Sequence, residues 1–343
     1  MSHLTSSSRL YNVDRSPALW TGALLGLSTL GVLLGCIVGS TGWSPGSLWP
    51  SDAVDALIVW DIRLPRSLGA WAGGALLALA GAVAQGLFRN PLADPYLLGS
   101  ASGASLGWMM GLLAVGQSAL QLSWLQRLGL TGLAFVGALL AVLLPLLLAR
   151  GVQHTVRLLL AGVIVGVMIG AVTALLSLWQ PELLMAMQGF LLGSTAFIGW
   201  SSVVLMLGVL CVALLVSMAA ARVLDALTLG AATAQSLGFS LSRYRLGLVA
   251  VFALATATAV SQMGLVAFIG LAAPHMVRAW VSVTHRWLLW LSALMGGVLL
   301  LWADLLARGL LAPQELPVGV LTAVLGGGYL LLLMFRQRGQ GAL

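Results

Sequence analysis

The stretch 158–179, LLLAGVIVGVMIGAVTALLSLW, contains no charged side chain. A helix needs about 20 mostly apolar residues to cross a membrane, because the hydrocarbon core is about 30 Å thick and each residue rises 1.5 Å. A strand of a membrane barrel would alternate apolar and polar residues, whereas this stretch is continuously apolar. The stretch therefore predicts a membrane-spanning helix.

Nine further apolar runs of similar length surround this one. They lie at 18–40, 67–88, 96–116, 128–149, 201–221, 246–263, 267–283, 287–307 and 317–335. The run at 267–283 is the weakest, because Pro274, His275 and Arg278 interrupt it. The chain of 343 residues is 60% hydrophobic and 7% charged, whereas a soluble domain carries about 25% charged residues. We therefore predict an all-α, polytopic fold with about ten transmembrane helices, forming one membrane domain over residues 1–343.

The distribution of arginine predicts the orientation of these spans, because cytoplasmic loops carry the excess of positive charge. With a cytoplasmic N-terminal tail at 1–17, four arginines lie outside: Arg63, Arg66, Arg127 and Arg308. The other twelve lie inside, at positions 9, 15, 89, 150, 157, 222, 243, 245, 278, 286, 336 and 338. Ten spans with both termini in the cytoplasm fit this bias. The outside segment 180–200 contains an apolar stretch around 183–192, which predicts a short helix that dips into the membrane without crossing it.

The composition excludes several functions. All 16 basic residues are arginine, so the chain lacks the lysine that a Walker A phosphate loop requires. The net charge of +7 reflects membrane orientation, and we expect no nucleic-acid partner. Cys36 and Cys211 lie in apolar runs and no His-Glu-x-x-His motif is present, so we expect no metal or cofactor in this chain.

Two other functions, an intramembrane serine hydrolase and an ion-coupled secondary transporter, find little support in the sequence. Residues 103–107, GASLG, match the nucleophile pattern Gly-x-Ser-x-Gly, but the three histidines after this motif all fall near the cytoplasmic side, too far from Ser105 to serve as its base. A secondary transporter would place ionisable groups at membrane depth, whereas the middles of the strong spans contain none. The sequence thus favours a neutral passage whose energy comes from another protein.

Small residues recur at four-residue spacing along several spans. The ridges are Gly31, Gly35, Gly39; Gly74, Ala78, Ala82, Gly86; Gly99, Gly103, Gly107, Gly111; and Gly162, Gly166, Gly170, Ala174. Because lipid supplies no hydrophobic force between helices, such ridges let backbones approach closely. We interpret them as packing surfaces, with sliding of helices during transport as the alternative.

Four blocks, in order along the chain, resemble the FecCD-type permease family. They are 59–66, VWDIRLPR; 89–95, RNPLADP, followed by Gly99 and Gly103; 264–278, which matches Gly-x-x-x-Phe-x-Gly-Leu-x-x-Pro-His-x-x-Arg; and Asp304, Arg308, Glu315, Pro317 and Gly319. Two positions depart from the family pattern: Ala231 replaces an acid that often follows Gly230, and Gly326–Gly328 replace a Gly-x-Pro. The family imports vitamin B12, haem and ferric siderophores.

The resemblance implies the permease subunit of a type II ABC importer in the bacterial inner membrane. In that family the permease forms a dimer, here expected to be a homodimer, with two cytoplasmic ATPase subunits that bind ATP and magnesium. A periplasmic binding protein delivers the ligand. Haem is the favoured cargo, with ferric siderophore and vitamin B12 as alternatives; an ATP-independent secondary transporter is the alternative of another class.

The resemblance also assigns roles to individual residues. It implies that Arg63, Arg66 and Arg308 pair with acids of the binding protein; their alternative is snorkelling to lipid headgroups. It places the cytoplasmic gate at Asn90, Leu92, Thr155 and Val156, for which turn and cap chemistry is the alternative. The cytoplasmic loop 222–245 is expected to dock the ATPase, or else to lie on the membrane surface. The docking residues expected in it are Asp225, Leu229, Gly230, Ala234, Leu237 and Gly238.

Overall fold

The computed structural model describes residues 16–39, 42–43, 53–115, 124–148 and 155–338, and the description below concerns those residues. They are mostly helical. The helices are α1 Pro17–Ile37, α2 Ala53–Leu57, α3 Leu64–Phe88, α4 Ser100–Val115, α5 Trp124–Leu148, α6 Thr155–Trp179, α7 Leu184–Leu192, α8 Trp200–Ala219, α9 Ala221–Thr228, α10 Ala231–Ser236, α11 Leu241–Met263, α12 Ile269–Trp280, α13 His285–Gly309 and α14 Val318–Arg338. A π-helical stretch, Ile58–Arg63, joins α2 to α3, and a 3-10 turn, Pro181–Leu183, precedes α7. Two short strands, β1 Val38–Gly39 and β2 Gly42–Trp43, pair antiparallel after α1.

The predicted all-α membrane fold is confirmed. Within the described ranges, seven helices are long and apolar enough to cross a membrane, and each of the ten predicted spans overlaps a helix. The predicted short helix near 183–192 is present as α7, while its path relative to the bilayer stays a prediction. Most of the predicted tail, residues 1–15, lies outside the described residues.

The span predicted at 267–283 differs from the others. Its helix, α12, has only 12 residues and so rises about 18 Å, less than the hydrocarbon thickness. The chain reaches it through non-helical backbone in which Gly264 and Phe268 have φ values of +71° and +70°. Irregular backbone at membrane depth requires burial within protein, and α12 packs against α3 and α13.

Three helices form the centre of the bundle. Most of α3, α11 and α13 is buried, whereas α1, α5, α6 and α8 expose most of their surface. The central α3 is rich in Gly and Ala, which lets neighbouring backbones come close on every side. The exposed outer helices carry Leu and Val, as a lipid-facing surface requires.

Two of the predicted small-residue ridges lie at close helix contacts along their length, whereas Gly170 of the ridge in α6 has no atom within 4 Å of an added Cβ. A Cβ atom added at Gly103 would overlap the carbonyl of Gly137 in α5, and one at Gly107 would overlap the carbonyl of Leu133. The ridge of α3 faces α13 in the same way, because a Cβ at Gly74 would overlap the Gly296 carbonyl. The packing interpretation is therefore confirmed for these two ridges. Ser105 lies in the same helix, α4, and is buried.

Candidate functional site

An ion-pair cluster closes the end of the bundle predicted to face outward. It consists of Arg63, Arg66, Asp304, Arg308 and Glu315, and we call it the outer cluster. Asp304 is its centre and is fully buried. Its Oδ1 accepts from Nε and Nη2 of Arg66, at 3.3 and 3.1 Å, and its Oδ2 accepts from Nε of Arg308 at 2.8 Å. The hydroxyl of Thr195, which precedes α8, also donates to Asp304.

The remaining bonds of the outer cluster join three helices. Arg308 donates to the carbonyl of Gly35 in α1 at 3.3 Å and to Oγ of Ser67 in α3 at 3.1 Å. Arg63 donates to the carbonyls of Cys36 and Ile37, at 2.9 and 3.2 Å. Those carbonyls end α1, where a helix carries partial negative charge that favours a cation. The outer cluster therefore fixes the outer ends of α1, α3 and α13 to one another.

The structure brings together the three arginines predicted to contact a binding protein, but it buries them. Arg63, Arg66 and Arg308 are 9%, 8% and 1% exposed. Neither snorkelling to headgroups nor a free surface position fits these values. Nη1 of Arg66 reaches the edge of the cluster, where it pairs with Glu315 at 2.9 Å, and the Glu315 side chain is 26% exposed. Contact with a partner stays a prediction, and this edge is where the cluster meets the surface.

The predicted gate residues lie at the opposite, inner end. Asn90 follows α3, and its Oδ1 accepts from the backbone N–H of Leu92 at 2.9 Å. This hydrogen bond is the turn chemistry that the sequence offers for Asn90 as the alternative to a gate role. Leu92 and Val156 are 65% and 79% exposed, and Thr155 begins α6. The gate role of these four residues stays a prediction.

A buried glutamine, which sequence reasoning missed, supports segment 89–99, here called the gate segment because it holds the predicted gate residues Asn90 and Leu92. Gln85 lies near the end of α3, and the guanidinium of Arg278 donates to its side-chain oxygen. Its amide nitrogen donates to the carbonyls of Ala93 and Leu271, at 3.3 and 3.5 Å. Gln85 thus links the gate segment to α12. The available signal was a single amide side chain in the apolar run 67–88.

A groove of about 510 Å³ opens between the start of α4 and α6. Its lining is mainly aliphatic side chains and glycines: Asp94, Tyr96, Leu97, Gly99, Ser102, Gly162, Val163, Gly166 and Val167. Burial raises the pKa of the Asp94 carboxyl, against the opposing effect of its hydrogen bond from the Tyr96 backbone N–H at 2.8 Å. Asp94 is the charged side chain in this lining.

Most of the predicted docking loop 222–245 folds into two short helices, α9 and α10, and its last five residues are the start of α11. Gly230 and Gly238 end them with φ values of +112° and +85°, which L side chains rarely adopt. Leu229 and Leu237 are 69% and 60% exposed, whereas Ala234 is fully buried.

The side chain of Asp225 in this loop contacts His285 at the start of α13. Its Oδ1 accepts from the backbone N–H of His285 at 2.9 Å and lies 2.7 Å from Nδ1 of the same residue. Because an ionised carboxylate only accepts, Nδ1 carries the proton. The loop therefore exposes Leu229 and Leu237 at the protein surface. Asp225 anchors it to the start of α13. The docking roles of these residues are not tested by the arrangement and stay predictions.

The described residues contain no cluster of three or more His, Cys, Asp or Glu suited to a metal ion. His275, in the third family-like block, packs edge-on to the ring of Tyr329 with 6.0 Å between ring centroids.

A bundle of apolar helices, with a charged cluster at one end and paired short helices at the other, defines a polytopic membrane protein. The model of the FecCD transport family matches residues 26–336, and the chain belongs to that family. It is 38% identical to the hemin transport system permease protein HmuU of Yersinia pestis, over 94% of this chain and 97% of the relative. It is also 38% identical to the vitamin B12 import system permease protein BtuC of Escherichia coli O9:H4, over 95% and 97%.

A solved structure agrees with this assignment. It is described as an inward-facing conformation of a metal-chelate type ABC transporter, with a TM-score of 0.83 at 26% identity. The match covers 94% of this chain and all of that one. The chain is thus a permease of the ABC-importer type in the FecCD family; the relatives are named for hemin and vitamin B12 transport, and the solved structure for a metal chelate.

Proposed function

We propose that this chain is the transmembrane subunit of an ATP-driven importer of haem in the bacterial inner membrane. It acts as a homodimer with two ATPase subunits on the cytoplasmic side and a periplasmic binding protein on the other, and both of its termini are cytoplasmic. The observation that carries the importer is the match to the Yersinia pestis hemin permease over nearly the full length of both chains. The vitamin B12 permease of Escherichia coli matches equally well, so the choice of haem rests on the groove and the arginines described below.

The exposed apolar side chains of the loop 222–245 favour an ATPase partner at this surface. Leu229 and Leu237 expose large apolar side chains at the ends of α9 and α10. The two glycines with positive φ, Gly230 and Gly238, hold these leucines at sharp turns of the backbone. Exposed apolar side chains on a rigid support are typical anchors of a protein interface.

The outer cluster supports a partner that carries acidic residues. In it, Arg66 pairs with both Asp304 and Glu315, and Arg308 pairs with Asp304. The Arg66–Glu315 pair lies at the accessible edge, and guanidinium groups bind carboxylates in a bidentate manner. An acidic group of the binding protein would meet the cluster at this edge.

Two features support haem among the three cargoes. The groove between α4 and α6 offers aliphatic side chains and a glycine surface to a flat, apolar ring. Arg89 and Arg157 are exposed at the inner end, where they attract the two carboxylates of haem. A large neutral corrin ring lacks this electrostatic attraction.

The proposed mechanism is alternating access. ATP binding and hydrolysis in the partner displace the docking loops, and the bundle then opens outward to take the ligand and inward to release it. The mostly apolar groove binds a passenger weakly, which permits release.

Reconstitution with the cognate ATPase and binding protein tests both levels of this proposal. ATP-dependent uptake into proteoliposomes tests the importer, and stimulation of the ATPase by the loaded binding protein is compared for haem, a ferric siderophore and cobalamin. We expect uptake that requires ATP, and the strongest stimulation with haem. Stronger stimulation by cobalamin or the siderophore would replace haem as cargo, and uptake that persists without the ATPase would refute the importer.

A further inference from the structure

The helix α13 joins the two ends of the molecule described above. It has 25 residues and is therefore about 37 Å long, enough to cross the bilayer. Its first residue, His285, contacts the docking loop through Asp225. Its last turns carry Asp304 and Arg308, which hold the outer cluster together. One continuous helix thus has charged, hydrogen-bonded contacts at both ends.

The contact at the inner end is closely packed and specific. Asp225 accepts two bonds through one oxygen, one of them from a backbone N–H in the first turn of α13. That N–H group has no partner within its own helix, and the positive end of the helix favours the carboxylate. The His285 side chain is 12% exposed and that of Asp225 is 39% exposed, so water competes with this pair only from one side.

The neighbouring helix α3 leaves no free space at this contact. A Cβ atom at Gly86 would lie 3.1 Å from Nε2 of His285 and 3.2 Å from Cδ2 of Leu224 in α9. Helices α3, α9 and α13 therefore meet at one point without a side chain from α3 between them. The start of α13 is thus in direct contact with α9.

We propose that α13 transmits displacement between the docking loop and the outer cluster, with His285 as the positioning residue that couples α9 to it. This inference rests on the proposed importer function. In the complex, engagement of the binding protein at the outer end changes ATP hydrolysis at the inner end through this helix. His285 touches neither ligand nor nucleotide and acts through Asp225.

The test substitutes His285 in the reconstituted complex. His285→Ala removes the bond from Nδ1 but keeps the backbone N–H that Asp225 also accepts. We expect assembly and basal ATP hydrolysis to stay at the wild-type level. Stimulation by the loaded binding protein and ATP-dependent uptake should both fall about tenfold, as for the loss of a charge-assisted hydrogen bond.

Two further variants separate coupling from folding. His285→Asn places an amide donor near the position of Nδ1 and should restore most of the stimulation. Arg286→Gln, at an exposed neighbouring position, removes a charge from the same turn and should leave stimulation unchanged.

Each other outcome overturns the inference. Unchanged stimulation in His285→Ala, or a loss of assembly and basal hydrolysis in the same proportion, would show that the pair has no coupling role. Equal defects in His285→Asn and His285→Ala would exclude the bond to Asp225. Absence of ATP-dependent uptake in the wild-type complex would instead refute the proposed function.

Discussion

Replacing Asp304 with asparagine should destabilise the protein strongly. The substitution keeps the shape of the side chain but removes the one fully buried carboxylate of the outer cluster. Arg66 and Arg308 both donate to that carboxylate, and Arg308 is 1% exposed. After the change, the charge of Arg308 is buried without a carboxylate bonded to it.

The expected loss of stability in Asp304→Asn follows from the burial of the Arg308 charge. Breaking a buried ion pair by removing one partner costs about 3–5 kcal/mol, because the remaining charge stays desolvated. Glu315 offers a matched comparison, because it is a carboxylate of the same cluster with a more exposed side chain. Its pair with Arg66 is partly solvated, and pairs open to water contribute at most about 1 kcal/mol.

Thermal unfolding of the purified protein in detergent measures the difference. We expect Asp304→Asn to lower the free energy of unfolding by roughly three times as much as Glu315→Gln, or more. Equal effects of the two substitutions, or a smaller effect of Asp304→Asn, would refute the assignment of Asp304 as the centre of the cluster.

Three further predictions concern packing, docking and the gate. Gly103→Leu should separate α4 from α5 and lower the unfolding temperature, whereas Gly170→Leu, where a Cβ would meet no atom within 4 Å, should leave it nearly unchanged; equal shifts would contradict the packing. Leu229→Asp should abolish co-purification of the ATPase without lowering the unfolding temperature of the permease, and retained co-purification would exclude this surface as the docking site. A cysteine that replaces Leu92 should react with a membrane-impermeant thiol reagent in inverted vesicles, whose outer surface is the cytoplasmic side of the membrane. The control is a parent protein in which both natural cysteines are replaced. Labelling only from the periplasmic side would reverse the predicted orientation.

The sequence was sufficient to predict the helical framework, because the length of an apolar run and the spacing of glycine depend on local chemistry. The ridge at Gly103 and Gly107 lies against α5 as expected. The span at 267–283 was predicted too long, because hydropathy counts apolar residues whether they are helical or extended. The left-handed backbone at Phe268 depends on tertiary contacts that a single run does not encode.

The sites were harder to predict than the framework. The three outer arginines lie together, but the pairing of Arg66 with Asp304 joins residues that are distant in sequence. The roles of Gln85 and His285 arise in the same way, from partners 193 and 60 residues away along the chain. Pairings at such separations are set by how the helices pack.

Uptake by proteoliposomes with and without the ATPase is the most direct test of the central claim that this chain is a conduit with no energy source of its own. Liposomes that contain the permease alone should accumulate no haem, with or without ATP or a proton gradient. Liposomes that contain the full complex and loaded binding protein should accumulate haem only when ATP is present on the ATPase side. Accumulation driven by a proton gradient in liposomes with the permease alone would contradict the account.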